Sequence, residues 1–218
     1  MLNQNEIKSI GYGTGLVLLN IVLMSLLSFT PLANILGFLS GINGFLVIIF
    51  YGILLTVGNS LAESGMEKLD YAVAGLGVFL LQFAYSTFGA GLLQGIGINT
   101  QLILLGITAA VTTVLAVIAG VIVYRTDKNF SKWRMYSFGF FIGVIVFGAI
   151  GIFFAPAFAL AFISALLGFL ALLVYEIWDM KAHKNHPMLN AVGLYVAYMG
   201  VFIQILQIIL RLLSKAEE

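Results

Sequence analysis

The sequence contains no cysteine, only three prolines and very little charge. Without cysteine, disulfide bonds, thiolate metal sites and cysteine nucleophiles are excluded. Charged residues make up 9% of the chain, whereas a soluble domain needs a charged surface several times larger. Hydrophobic residues make up 61%, and the mean hydropathy is +1.10. Water is therefore not the solvent for most of this surface, and the composition predicts an integral membrane protein in contact with the lipid bilayer.

The charges that are present nearly cancel. The net charge of +1 is the difference between 10 basic and 9 acidic residues, and phosphate binding needs a clustered basic face. Nucleic acid is therefore not an expected partner. The 24 glycines suit helices in lipid, where small residues let backbones approach closely.

Breaks in hydrophobicity divide the chain into seven apolar segments. Each is close to the length of about 20 residues that crosses a bilayer core. The alternating pattern of a β-barrel appears nowhere. The sequence therefore predicts an all-α fold, a polytopic helix bundle that forms one domain over residues 1–218. The predicted spans are 12–29, 35–57, 71–93, 102–124, 135–154, 158–178 and 189–210.

Basic residues are segregated between the connectors. The linkers after the first, third and fifth spans carry no charge, and every basic residue except Arg211 and Lys215 lies on the other side. By the positive-inside rule, this pattern predicts a cytoplasmic N-terminus and an external C-terminus.

Enzyme signatures are missing. A serine nucleophile needs a nearby general base, and the only histidines, His183 and His186, lie in one predicted loop. There is no HExxH and no phosphate-binding glycine loop, and the seventh span has no lysine for a retinal Schiff base. We therefore expect no enzymatic activity, no catalytic residue and no cofactor.

Ionisable side chains near the end of the sixth span are the first candidate site. Glu176 and Asp179 are spaced i, i+3 and share one helix face. Such a pair can take up a proton or hold a hard cation through oxygen ligands. For Asp179 a solvated position at the membrane surface is the favoured interpretation. Asp179, His183 and His186 have a spacing that suits a metal on a continuous helix, but Pro187 favours a loop, so no metal site is predicted.

The seventh span carries a stripe of small residues and amides. Their spacings alternate between four and three, which places them on one helix face. Such a face suits a central helix buried among others, beside a hydrated path or simply packed. We expect the whole stripe to be buried. Its members are Gly193, Ala197, Gly200, Gln204, Gln207 and Arg211.

Three segments of the C-terminal half resemble the Bax inhibitor family of membrane proteins. Residues 124–133, YRTDKNFSKW, are similar to the basic linker of the family with its D-F-S type signature. Residues 173–176, LVYE, close the sixth span, where the family has tyrosine followed by an acid or amide. Residues 190–206, NAVGLYVAYMGVFIQIL, resemble the final span of the family.

The resemblance implies a bundle around a central last span. In some members it implies a pH-sensitive calcium leak controlled by two carboxylates, one on each of the last two spans. Glu176 matches the first acid, but Ala197 stands at the position of the second and Gly200 replaces the usual asparagine. The pair is thus incomplete.

Another branch of the family has a small residue at the position of Ala197. Its members are bacterial proteins that modulate an AAA-type membrane protease. Two hypotheses therefore stay open, a cation leak (calcium or protons) gated near Glu176 and a non-conducting regulator of a membrane protease or another membrane partner. The resemblance to this branch favours a prokaryotic cell membrane as the location.

Overall fold

The structure, a computed structural model, describes residues 2–183 and 186–216; the side chains of residues 32, 34–48 and 215–216 lie outside the described set. Over these ranges the chain forms helices and no strand, which confirms the predicted all-α fold. The helices are α1 (Gln4–Leu27), α2 (Pro31–Glu67), α3 (Tyr71–Leu92), α4 (Ile98–Arg125), α5 (Lys132–Gly151), α6 (Ala157–Ala182) and α7 (Pro187–Ala216).

Six helices within the described residues, α1 and α3 to α7, are long and apolar enough to cross a membrane. Large hydrophobic side chains such as Leu18, Phe79 and Val117 are exposed on them. Contact of apolar area with water costs about 25 cal/mol per Å² of free energy. This surface is therefore suited to contact with the hydrocarbon of a bilayer. The molecule is a polytopic membrane protein. The second predicted span, 35–57, falls within α2, and the side chains of 34–48 lie outside the described residues.

The first helix begins at Gln4, before the predicted start of its span at residue 12. Asn3 and Glu6 explain the early start, because they form a capping box. The Asn3 side chain accepts a hydrogen bond from the Glu6 N–H at 2.9 Å, and the Glu6 carboxylate accepts one from the Asn3 N–H at 2.6 Å. Two of the free N–H groups at the helix start are thereby satisfied.

The turn between α2 and α3 closes with a left-handed residue. Leu69 has a φ of 57°. Its N–H donates to the Met66 carbonyl at 3.3 Å, and the Asp70 N–H donates to the Gly65 carbonyl at 2.8 Å. This is the Schellman pattern, which usually has glycine at the left-handed position. The Asp70 carboxylate then caps α3 by accepting from the N–H groups of Ala72 and Val73.

The chain forms two compact units. Unit 1 comprises Met1–Ile103 and Asn185–Val196, and unit 2 comprises Leu104–Lys184 and Ala197–Glu218. In unit 1, α2 and α3 pack so closely that a Cβ on Gly77 would lie 2.6 Å from the carbonyl oxygen of Gly58. Only glycine allows this approach between two helix backbones.

In unit 2, α5 and α6 form a hairpin. Gly143 packs against Ser164, where a Cβ would lie 3.2 Å from the serine hydroxyl, whereas Gly139 has open space beside it. Only one glycine of the Gly139-x-x-x-Gly143 pair therefore contributes to helix packing. The turn of the hairpin carries exposed apolar side chains, among them Ile152 and Phe153.

Candidate functional site

The C-terminal end of α6 brings several titratable side chains together in unit 2. Asp179 accepts hydrogen bonds at Oδ1 from the Tyr175 hydroxyl at 3.3 Å and lies 2.8 Å from His183 Nδ1. The ring of His183 stands edge-on to that of Trp178, with centroids 5.5 Å apart. Asp179, predicted to be solvated, is thus largely enclosed, with 19% of its side chain exposed. Glu176, one turn earlier, is half-buried.

Cations reach the same end of α6 from two directions. The Arg134 guanidinium on α5 lies over the ring of Tyr175, at 5.6 Å from its centroid. Lys181 Nζ donates to the Val123 carbonyl at 2.9 Å and lies 5.4 Å from the ring centroid of Tyr124. Val123 belongs to the last turn of α4, where free carbonyls and the helix dipole attract a positive charge. Acids and cations therefore balance, which is a poor arrangement for holding a divalent cation.

Asp179, His183 and His186 do not lie on one continuous helix. Helix α6 ends at Ala182, His183 adopts an extended conformation, and α7 begins at Pro187. Among the described residues no group of three histidines, aspartates or glutamates is placed to hold a metal ion.

Most of the stripe on α7 is buried. Gly193 in unit 1 is buried, as are Ala197, Gly200 and Gln204 in unit 2, whereas Gln207 is half-buried. The Gln204 Oε1 atom has no hydrogen-bond partner among the described residues. It therefore presents a carbonyl oxygen that a donor or a cation could satisfy.

Arg211 contradicts the prediction that the whole stripe is buried. It is exposed, and its Cζ atom lies 4.7 Å from the ring centroid of Phe162. A guanidinium is costly to bury, and the face of an aromatic ring stabilises it at the surface.

The aromatic ring of Phe169 packs directly against Gly200. A Cβ at this position would overlap the ring of Phe169 on α6, and the ring of Phe169 lies 4.9 Å from that of Phe141 on α5. A side chain as large as that of asparagine would not fit here. Phe169 fills the space on the stripe between Ala197 and Gln204.

A second polar cluster lies in unit 1. Asn20 on α1 donates from Nδ2 to Gln82 Oε1 on α3 at 2.7 Å and to the Tyr195 hydroxyl on α7 at 2.9 Å. All three residues are buried. The contact between Asn20 and Gln82 joins α1 to α3 within unit 1. Tyr195 lies in the segment 190–206 that resembles the final span of the family, but nothing in the sequence indicated its contact with Asn20.

Spanning helices, an apolar outer surface and buried neutral polar groups define a polytopic helical membrane protein. The family model described as "Inhibitor of apoptosis-promoting Bax1" matches residues 12–215. The chain therefore belongs to the Bax inhibitor family. The match includes the N-terminal half, which contains none of the three segments that carried the resemblance. In comparisons with curated proteins and with solved structures, no match was found.

Proposed function

We propose that this protein is a non-conducting regulator of a protein partner in the same membrane. The observation that carries the proposal is Ala197, which is fully buried where the leak-forming members of the family place the second carboxylate. No other position of α7, from Pro187 to Ala216, supplies an acid. A proton switch made of two like charges needs both of them.

The surroundings of the remaining acids support the same function. Asp179 pairs with His183 in a bond of 2.8 Å, and Arg134 and Lys181 lie at the same end of α6. Calcium favours several free carboxylate or carbonyl oxygens, and cations nearby oppose its binding. The sequence of α7 supplies no carboxylate that could complete a pair with Glu176.

The partner that best fits is a membrane-bound protease of the AAA type. This choice rests on the small residue at position 197, which the protease-modulating branch of the family shares. Helices α1 and α4 expose apolar side chains along most of their length, and such surfaces suit contacts with other transmembrane helices.

The test combines two reconstitutions of the purified chain. In proteoliposomes that contain a calcium indicator, the wild-type protein should give no flux above empty liposomes at acidic or neutral pH. In liposomes that also hold an AAA-type membrane protease, it should change the degradation rate of a membrane substrate. Calcium flux from the wild type would contradict the proposal, and so would an unchanged degradation rate.

One observation favours a cation leak as a second candidate. Unit 2 contains the Gln204 Oε1 atom, which has no partner among the described residues, and the half-buried Glu176. Each can supply an oxygen ligand for a cation. If the wild type does conduct, Glu176→Gln should abolish the pH dependence of the flux, and Ala197→Asp should strengthen it by restoring the pair. Flux that neither substitution changes would rule out gating by Glu176.

A further inference from the structure

The polar cluster of unit 1 contains more acceptors than its central amide can serve. Besides Gln82 Oε1 and the Tyr195 hydroxyl, the Gln82 backbone carbonyl lies 3.0 Å from Asn20 Nδ2. An amide nitrogen has two hydrogens for these three oxygens. At the same time the Asn20 Oδ1 atom is buried and has no donor among the described residues.

Ser86 adds a second unpaired group. It follows Gln82 by four residues on α3, so both side chains lie on the same helix face. Ser86 is fully buried, and its hydroxyl has no hydrogen-bond partner in the described part of the chain.

Tyr51 on α2 adds a third unpaired group, its hydroxyl. Its ring is edge-on to that of Tyr85, with centroids 5.9 Å apart, and Tyr85 is edge-on to Tyr195 at 5.7 Å. The Tyr85 hydroxyl donates to the Val196 carbonyl at 2.8 Å. The Tyr51 hydroxyl is buried and has no partner among the described residues.

The hydrogen-bonding chemistry of these three groups determines which kind of ligand they could bind. One is a carbonyl acceptor and two are hydroxyls, which both donate and accept. The cluster contains no carboxylate to attract a cation and no cationic side chain to attract an anion. Each of the three can therefore be satisfied by a small neutral molecule that donates and accepts hydrogen bonds.

We propose that unit 1 holds an internal water site, in which one or more ordered water molecules bind Asn20 Oδ1, Ser86 Oγ and the Tyr51 hydroxyl. Gln82 lies near the middle of α3, so the site is far from either end of that helix. Buried waters in proteins make two to four bonds to polar groups of this kind. The inference is independent of the proposed regulatory function.

The sign of a stability change tests the site. Ser86→Ala and Tyr51→Phe each remove one hydroxyl and little else. If water binds there, each variant loses hydrogen bonds, and Tm of the purified protein should fall by about 2–4 °C. If the cluster is dry, each variant removes an unpaired buried hydroxyl, and Tm should rise. A rise or an unchanged Tm in both variants would overturn the proposal.

Tyr85→Phe is the matched control, because its hydroxyl already has a partner in Val196. Its Tm should fall whether or not water is present, which calibrates the size of the effect. A direct measurement separates hydration from repacking. A crystal structure that resolves ordered surface water should show electron density for a water molecule within hydrogen-bond distance of Asn20 Oδ1. The absence of such density would also overturn the proposal.

Discussion

At the scale of single residues, Leu69 is held in a conformation that leucine disfavours. Its φ of 57° costs about 1–2 kcal/mol for an L-residue, and the side chain is 67% exposed, so it gains little from packing. Leu69→Gly should therefore raise the free energy of unfolding by about 0.5–1 kcal/mol, the relief of strain being partly offset by the flexibility of glycine when unfolded. Denaturant titration in detergent micelles measures this change.

Leu213→Gly provides the comparison. Leu213 is also exposed but lies within α7, where glycine costs about 1 kcal/mol. This variant should be less stable than the wild type. If Leu69→Gly were destabilised to the same degree as Leu213→Gly, the left-handed turn would not be strained.

Lys181 should contribute more to stability than other lysines do. Its bond to the Val123 carbonyl places a positive charge at the C-terminus of α4. Lys181→Met should lower the free energy of unfolding by about 0.5–2 kcal/mol, while Lys128→Met in the exposed linker should have no measurable effect. Equal losses in the two variants would show that the contact with α4 is not special.

At the scale of the helices, Gly200 and Phe169 determine how α6 and α7 pack in unit 2. Gly200→Ala forces the new methyl group against the Phe169 ring and should cost about 1–3 kcal/mol of stability. Phe169→Ala removes the obstacle, so the double variant should lose less stability than the sum of the two single variants. Thermal unfolding of all four proteins completes the cycle.

Gly139→Ala is the control for this cycle. Nothing lies within 4 Å of a Cβ at that position, and alanine is the better helix former by about 1 kcal/mol. Its stability should stay the same or rise. Additive effects at Gly200 and Phe169 would contradict the direct contact.

Helices were predictable from the sequence, whereas their contacts were not. Long apolar runs give the helices because the bilayer fixes their length. The bond between Lys181 and Val123 joins residues far apart in sequence, and hydropathy gives no signal of which helix faces pair. Gly200 was singled out as a departure from the family, but Phe169, which fills the space beside it, looked like any other lipid-facing residue. Arg211 has the spacing of the stripe but is exposed, unlike most of its other members. The cost of burying its charge outweighs the helical periodicity that would place it on the buried face.

At the scale of the whole molecule, the distribution of basic residues predicts the orientation. A reporter enzyme that is active only in the cytoplasm, fused after Glu218, should give no activity, because the seven predicted spans and the predicted cytoplasmic N-terminus together place the C-terminus outside. The same reporter inserted after Asp127, in the linker between α4 and α5, should be active. Activity at both positions would mean that the chain crosses the membrane an even number of times between Asp127 and Glu218.

The turn between α5 and α6 has a consequence for how the protein enters the membrane during synthesis. Its residues, from Ile152 to Pro156, include no charged side chain, and Phe153 is 91% exposed. Carrying a charged loop through hydrocarbon would cost several kcal/mol per residue. Here the turn that would cross the bilayer first, residues 152–156, is itself apolar. The two helices can therefore partition into the bilayer as a pair, with the basic segment 125–134 left behind on the side from which they came.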